Sequence, residues 1–426
     1  MKNFPLVEKR LPTGLRVVLL PRREGETVTL LVLIGVGSRY ETSRQWGLSH
    51  FLEHMFFKGT EKRPDKRQIA EVLDNVGAEF NAFTGEEVTG YYVRLARKHL
   101  DLGADLVSDI LLHSLFPAAE IERERGVIKE EMKMYTDSPG RHVHHLWRQV
   151  LFGEQPLGRR IDGSPGTVSA FKRPDLVSYT KEHYHTGNAV VAVAGNFGGD
   201  EVLEKIQVLF GDLPLGEETR PEPAAAGPAK RFMHERRESI DQTHLVVGVP
   251  GVGLLDERRW AAKLLAVILG GGMSSRMFMT VREEQGLAYA IHTSSENFTD
   301  TGSLETQAGL RTDKADFALE LILRQYDKVM QEEVSPAEIG RAKEMVRGHL
   351  VLELEETAAL AMFAGEQQLL QGKVMTPREV GQRIEAVTAQ EIRQVAGELL
   401  SPEHRAAALL SPHKSVSEFA RLIEKE

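Results

Sequence analysis

The chain of 426 residues contains no cysteine. That absence excludes disulfides, thiolate metal ligands and a thiol nucleophile, so a bound metal must be held by histidine and carboxylate. No apolar run reaches the roughly 18 residues that a membrane-spanning helix needs. The opening Met1-Lys2-Asn3-Phe4-Pro5, followed by Glu8, Lys9 and Arg10, lacks the apolar stretch of a secretory signal, and a cytoplasmic location is the resulting expectation. Cations are not in excess: 53 Lys and Arg against 62 Asp and Glu give a net charge of −9, the wrong sign for a general nucleic-acid binder. What is present is soluble globular composition, 41% hydrophobic and 27% charged, over a length that predicts two domains of about 200 residues.

Within Gly47-Leu48-Ser49-His50-Phe51-Leu52-Glu53-His54 the pattern is H-x-x-E-H. Four residues of helix turn through about 400°, so His50 and His54 fall on one face, and two neutral imidazoles at that spacing can grip one divalent metal. Glu53 projects beside that metal, where a carboxylate can take a proton from an activated water. The order reverses H-E-x-x-H and is the inverted zinc-peptidase signature. The alternative is an amphipathic helix with two satisfied histidines.

The main compositional break, Leu213-Pro214-Leu215-Gly216 through Gly227-Pro228, is rich in Pro, Ala and Gly without an apolar period and reads as a linker. The sequences on either side look alike. In the first half, the strand Thr29–Gly37 precedes a turn and a helix from Trp46; in the second, the strand Thr243–Val249 precedes a turn and a helix from Trp260. Ala119-Glu120-Ile121 before a long helix is echoed by Ala337-Glu338-Ile339. Such a slowly drifting offset is the mark of a duplicated domain. The expected layout is a catalytic zinc-binding domain at 1–212, a linker at 213–230 and a homologous non-catalytic domain at 231–426. At the Trp offset, His50, Glu53 and His54 face Leu264, Val267 and Ile268, so the fold itself does not need the polar set. Strands are expected at Leu15–Leu20, Val28–Val36, Thr89–Ala96 and Ala189–Ala194, and the class is α+β, each half a sheet with helices packed on one face.

A catalytic zinc held by two histidines lacks a ligand, and Glu130 and Glu131 compete for the place. Residues seven apart share a helix face, which aligns Glu131 with Glu124 and favours Glu131, while Glu130 lies about 100° round the axis beside Lys129 on the solvent side. Glu124, one or two turns away, is placed to hydrogen-bond a ligand imidazole behind the metal; a surface pair with Arg123 or Arg125 is its alternative.

These residues resemble the inverted zinc metallopeptidases of family M16, which include pitrilysin, insulin-degrading enzyme and the mitochondrial processing peptidase. The resemblance covers nearly the whole chain. It rests on His50–His54 with the following Met55-Phe56-Phe57-Lys58-Gly59-Thr60, and on Glu124-Arg125 with Glu131, which looks like the family's distal glutamate motif and supports Glu131 as ligand. The length is similar to the short bacterial and mitochondrial branch, which implies two domains per chain and a working dimer.

Gly77-Ala78-Glu79-Phe80-Asn81-Ala82-Phe83-Thr84-Gly85 reads as an exposed strand edge able to add a substrate strand, or equally as a hairpin with Asn81 in its turn. The resemblance implies the first, with Asn81, Ala82 and Phe83 as the peptide-binding edge. Gly270-Gly271-Gly272 follows a helix and lacks a Gly-Lys-Ser/Thr ending, so it ends that helix and does not cradle phosphate. The segment that follows is similar to the family's Arg–Tyr pair, which implies that Arg282 and Tyr289 bind a peptide carbonyl or the developing oxyanion. Pairing of Arg282 with Glu283 or Glu284, and a core place for Tyr289, are the alternatives. His142, His144 and His145 also cluster; solvated histidines or a supporting shell are expected there in preference to a second metal.

The expected function is a zinc endopeptidase, one Zn2+ per chain, acting on peptides or unfolded segments. His50, His54 and Glu131 hold the metal and Glu53 is the general base. The expected partners are polypeptide substrate and a second copy of the chain, a heterodimer with an inactive homologue being possible, with no nucleic acid and no membrane. The rival is a non-catalytic peptide-binding or scaffold subunit of a heterodimeric peptidase.

Overall fold

The computed structural model describes residues 4–424. The chain forms two compact units, and neither is contiguous. The first takes the residues up to Met132, Arg160–Glu222 and Leu350–Arg378; the second takes Lys133–Arg159, Pro223–His349 and the residues from Glu379 onward. The helices used below are α1 (Leu48–Met55), α2 (Leu100–Leu112), α3 (Ala118–Asp137), α4 (Pro139–Phe152), α5 (Arg259–Gly270), α6 (Ala315–Gln331), α7 (Pro336–Glu353) and α8 (Thr357–Gln371).

In the first unit β1 (Val7–Arg10), β2 (Arg16–Pro21), β3 (Thr27–Ile34), β4 (Glu79–Thr84), β5 (Thr89–Ala96) and β6 (Ala189–Gly195) form one sheet in the order β1-β2-β6-β3-β5-β4. Only β2 and β6 run parallel. The second unit has β7 (Phe232–Arg236), β8 (Gln242–Gly251), β9 (Ala288–Asn297), β10 (Gly302–Arg311) and β11 (Ala406–Ser411) in the order β7-β11-β8-β10-β9, with β7 and β11 parallel. That order repeats β2-β6-β3-β5-β4, so the duplication read from Trp46 and Trp260 extends to the topology. The four strands expected in the first half are β2, β3, β5 and β6, within two residues at each end. β1, Val-Glu-Lys-Arg and exposed throughout, has no apolar alternation and escapes the sequence pattern.

Period-2 alternation sorts the central strands into two cores. Val28, Leu30, Val32 and Ile34 of β3 join Val191 and Val193 of β6 under α1 and α2, while Leu31, Leu33, Val190, Ala192 and Ala194 face the other way onto Leu360, Ala361 and Ala364 of α8. Strands buried on both faces read as continuous apolar runs, as these do. Gly365 lets α8 lie close, since a Cβ there would come 2.8 Å from Leu33 and 3.2 Å from Ala192.

The second sheet is built the same way. Leu245, Val247 and Val249 pack with α5 and α6, and Val246, Ala406, Ala408 and Leu410 pack with Val143, Trp147, Val150 and Leu151 of α4. Truncating the fully buried Trp147 to Ala would cost about 3–5 kcal/mol. Thus a helical layer covers one face of each sheet, as the α+β reading has it, and a single helix covers the other. That single helix comes from the opposite half of the chain: α4 precedes the linker yet packs on the second sheet, and α8 follows it yet packs on the first. The compact units therefore differ from the contiguous stretches 1–212 and 231–426. Both helices are locally ordinary, and only long-range packing reveals where they dock. Residues 213–230 carry neither helix nor strand, and a unit boundary falls there, between Glu222 and Pro223.

Candidate active site

Gly47 leads into α1 with φ +93°, and a Cβ there would sit 2.7 Å from Gly163, so glycine is required. The unpaired N–H groups of the first turn are met by a buried carboxylate. Glu41 Oε2 accepts from the Gly47 N–H and Oε1 from the Ser49 N–H, both at 2.7 Å. Trp46 Nε1–H donates to the Arg160 carbonyl at 2.6 Å, and the hydroxyls of Ser49 and Tyr179 are 2.8 Å apart. Leu48, Phe51, Leu52 and Met55 are buried, which leaves His50, Glu53 and His54 on the half-exposed face.

α3 supplies the third group. Ile121, Glu124, Ile128 and Met132 form its inner side, Glu131 is half-buried beside them, and Glu130 is exposed. Val127, which the seven-residue spacing sets between Glu124 and Glu131, is turned outward and 46% exposed. Glu131 Oε2 lies 3.8 Å from His50 Nε2 and 3.6 Å from His54 Nε2, and one potential ligand atom from each residue falls within 4.8 Å of the others. No other three-residue group of this kind exists among the described residues. The imidazole centroids are 4.8 Å apart.

Burial drives His50 down to about 4, and neighbouring His54 adds to the effect while Asp162 opposes it. His50 is therefore neutral near pH 7 and can offer a lone pair. Two imidazole nitrogens and a carboxylate oxygen thus converge in an arrangement that could hold a divalent cation, and the donor set N,N,O suits zinc. The Nδ1 of His54 is 3.1 Å from Glu124 Oε2, and Lys58 Nζ is 2.8 Å from Glu124 Oε1. Glu124 thus meets His54 and Lys58 and not its neighbouring arginines: Arg125 turns instead to Glu122 and to the carbonyls of Val168 and Phe171, and Arg123 to Glu120. Burial pushes the Glu124 carboxyl up, but the hydrogen bonds from His54 and Lys58 outweigh it and hold the group below its ordinary value. His50 Nδ1 is buried with no hydrogen-bond partner among the described residues.

Glu53 stands on the same face of α1. Burial raises its carboxyl, Glu131 adds to the rise, and Thr84 and His54 oppose it. Its Oε2 accepts a hydrogen bond from the Thr84 hydroxyl at 2.6 Å. Glu41, Lys58 and Thr84 are contacts that the sequence reading missed; Lys58, one turn beyond His54, is the one that helical spacing could have flagged.

β4 is the edge strand next to α1, a strand and not a turn, with Asn81 exposed, Ala82 buried and Phe83 half-buried. The Ala82 N–H donates to Asn81 Oδ1 at 2.9 Å. Arg282 and Tyr289 belong to the second unit. Arg282 lies over the Phe278 ring, 4.7 Å from its centroid, and 3.8 Å from Glu283, while Tyr289 is 78% exposed and not a core residue.

Among the described residues the histidines of α4 form no three-residue group that could hold a metal; His142 is buried, while His144 and His145 are half-buried. His142 Nε2 lies 2.6 Å from Glu235 of β7 and His144 Nε2 lies 2.7 Å from Glu305 of β10, so they fasten the helix to the second sheet. The sequence hides this because both carboxylates are far along the chain.

Residues 16–164 match the insulinase family (peptidase family M16), and residues 170–346 match the peptidase M16 inactive domain. An uncharacterized zinc protease of Streptomyces coelicolor is 37% identical over 92% of this chain and 86% of its own length. One of Bacillus subtilis is 34% identical over 94% and 96%. Among solved structures, a protease from Helicobacter pylori shares the fold with a TM-score of 0.89 at 21% identity, covering 96% of this chain and 99% of that one. A chain of complex III2 from Candida albicans does so with a TM-score of 0.84 at 18% identity, covering 98% and 99%. The chain belongs to peptidase family M16, with the two-domain length of the family's short bacterial members.

Proposed function

We propose that this protein is a zinc-dependent endopeptidase that hydrolyses peptide bonds in peptides or unfolded segments. The convergence of His50, His54 and Glu131 beside Glu53 carries the reading. Those three residues would hold one zinc per chain, which would supply Lewis-acid polarisation of the scissile carbonyl and lower the pKa of the attacking water. Glu53 takes the proton from that water as it attacks the carbonyl, then delivers it to the leaving amine; its raised proton affinity suits both halves of the task. Glu124 accepts from His54 Nδ1–H and so leaves Nε2 free to ligate. Asn81, Ala82 and Phe83 offer the edge of β4 to an extended peptide, and Arg282 and Tyr289 take the developing oxyanion. In this reading residues 1–212 are the catalytic domain, 213–230 the linker and 231–426 the non-catalytic domain. The working form is a homodimer, with a heterodimer containing an inactive homologue as the alternative. A purely scaffolding role would give no reason for a complete H-x-x-E-H in one half beside Leu264, Val267 and Ile268 in the other.

Cleavage of a quenched peptide tests this directly. Activity should vanish with a zinc chelator and return with added zinc. Glu53→Gln should keep its zinc while turnover falls by about 10²–10⁴. Glu131→Ala should lose the metal, and Glu130→Ala should retain it. Wild-type turnover in Glu53→Gln, or cleavage indifferent to chelation, would overturn the reading.

A further inference from the structure

Thr84 ends β4, and its hydroxyl makes the one hydrogen bond that the Glu53 carboxylate receives among the described residues, at 2.6 Å. Alternation along the strand places Phe80, Ala82 and Thr84 on a common side. Phe80 meets Phe57 with centroids 5.5 Å apart, Ala82 joins the core that holds Phe51 and Met55, and Thr84 meets Glu53. One side of this strand therefore runs along the site helix and the residues that follow it.

The backbone around Thr84 is clamped. Thr84 pairs with Thr89 across β4 and β5, and the Thr89 hydroxyl donates to the Val36 carbonyl at 2.8 Å. In the turn between them, the Gly85 N–H donates to Val88 O at 2.8 Å, the Ser38 N–H to Gly85 O at 3.2 Å and the Arg39 N–H to Glu86 O at 2.9 Å. The buried Arg39–Glu87 pair, 2.6 Å, closes the same turn. A hydroxyl on so fixed a frame can dictate where a flexible carboxylate points, because a Glu side chain left alone samples several rotamers.

We infer that Thr84 is a positioning residue for Glu53. It holds Oε2, so that Oε1 is the oxygen left to accept the proton of the attacking water. It does so from the strand whose edge takes the substrate, which makes substrate docking and base alignment properties of one rigid element. This inference rests on the peptidase reading above, with Glu53 as the base.

Thr84→Val keeps the β-branched shape and removes the donor; Thr84→Ser keeps the donor. In the zinc-loaded full chain Thr84→Val should lower kcat about tenfold or more, with KM within about twofold and zinc per chain unchanged. Thr84→Ser should stay within about threefold of the wild type. Thr84→Ala, which should behave like Thr84→Val, serves the same comparison should the valine variant melt early. An unchanged kcat in Thr84→Val, an equal loss in Thr84→Ser, or loss of zinc from Thr84→Val would each overturn the inference while leaving an active wild type, and with it the peptidase reading, intact. A wild-type chain that cleaves no peptide with or without zinc would instead remove that reading and the inference with it.

Discussion

Nδ1 of His54 lies 3.1 Å from Glu124, whose second oxygen is 2.8 Å from Lys58 Nζ, whereas Nδ1 of His50 is buried with no such partner among the described residues. The two imidazoles are thus oriented by different means: His54 by the chain of contacts through Glu124 to Lys58, His50 by packing. Groups behind a metal ligand typically change affinity by about 10–100-fold when removed. Glu124→Ala should therefore weaken zinc binding by about that factor, measured by competition with a chromophoric chelator. It should also destabilise the first unit, because half-buried Lys58 loses the carboxylate it meets at 2.8 Å. Lys58→Met should weaken zinc less, since Glu124 still accepts from His54. Zinc affinity unchanged in Glu124→Ala would show that packing orients both rings.

The edge of β4 makes a prediction about substrate. The Ala82 N–H, which donates to Asn81 Oδ1 at 2.9 Å, is a main-chain donor that an incoming peptide can use instead. Ala82→Pro removes it at an edge position, where proline is tolerated. KM for varied flexible peptides should rise several-fold with zinc content unchanged. Compact domains without flexible segments should resist cleavage, because strand addition requires an extended backbone. Fast cleavage of such domains, or an Ala82→Pro chain with wild-type KM, would argue for recognition elsewhere.

Tyr289 occupies an irregular position in β9. Gly309 pairs with Ala290 and Leu310 with Ala288, which leaves Tyr289 as the extra residue of a β-bulge, its side chain 78% exposed. Bulges re-aim side chains and recur beside functional sites. A surface hydroxyl of this kind contributes little to stability, so Tyr289→Phe should leave the melting temperature and zinc content unchanged while kcat falls about tenfold or more. The opposite pattern, a lower melting temperature with full activity, would make Tyr289 structural.

Much of the site is legible because a helix is a local object. His50, Glu53 and His54 follow from the rotation of one turn, and Glu131 with Glu124 from two. The buried strands are equally legible, since β3 and β6 are almost wholly apolar where they face either core, Thr29, whose hydroxyl meets that of Thr357, being the polar exception. The rest depends on pairs that sequence spacing cannot connect. Glu41 caps α1 only because the loop before it folds back; Thr84 reaches Glu53 only because β4 lies next to α1. The docking of α4 and α8 on the sheet of the opposite half is least legible of all. Each carries an ordinary apolar stripe, and nothing local says which of two similar sheets it will cover. His142 and His144 are casualties of the same blindness, because their partners Glu235 and Glu305 lie beyond the linker.

The His144–Glu305 pair gives the second unit a pH signature. Burial lowers His144, but the hydrogen bond and charge of Glu305 outweigh it and hold the imidazole above its ordinary value. Burial raises Glu305, yet His144 and the Ser303 hydroxyl outweigh that and hold the carboxyl below its own. A raised histidine contributes stability that is fully present below about pH 6.5 and lost as pH climbs through its folded value. A depressed carboxyl contributes stability present above about pH 4.3 and lost as pH falls through its folded value. The pair is thus at full strength between about pH 4.3 and 6.5 and fades above the folded value of His144. The nearby Arg148–Glu296 pair, 2.6 Å, is left intact by a change at His144. Thermal melts of the wild type and His144→Gln from pH 5 to 9, with chelator present so that metal loss moves neither, should show the largest difference at the acid end and a shrinking one above neutrality. A difference that stays constant with pH would mean that α4 is held by Trp147 and its apolar neighbours alone.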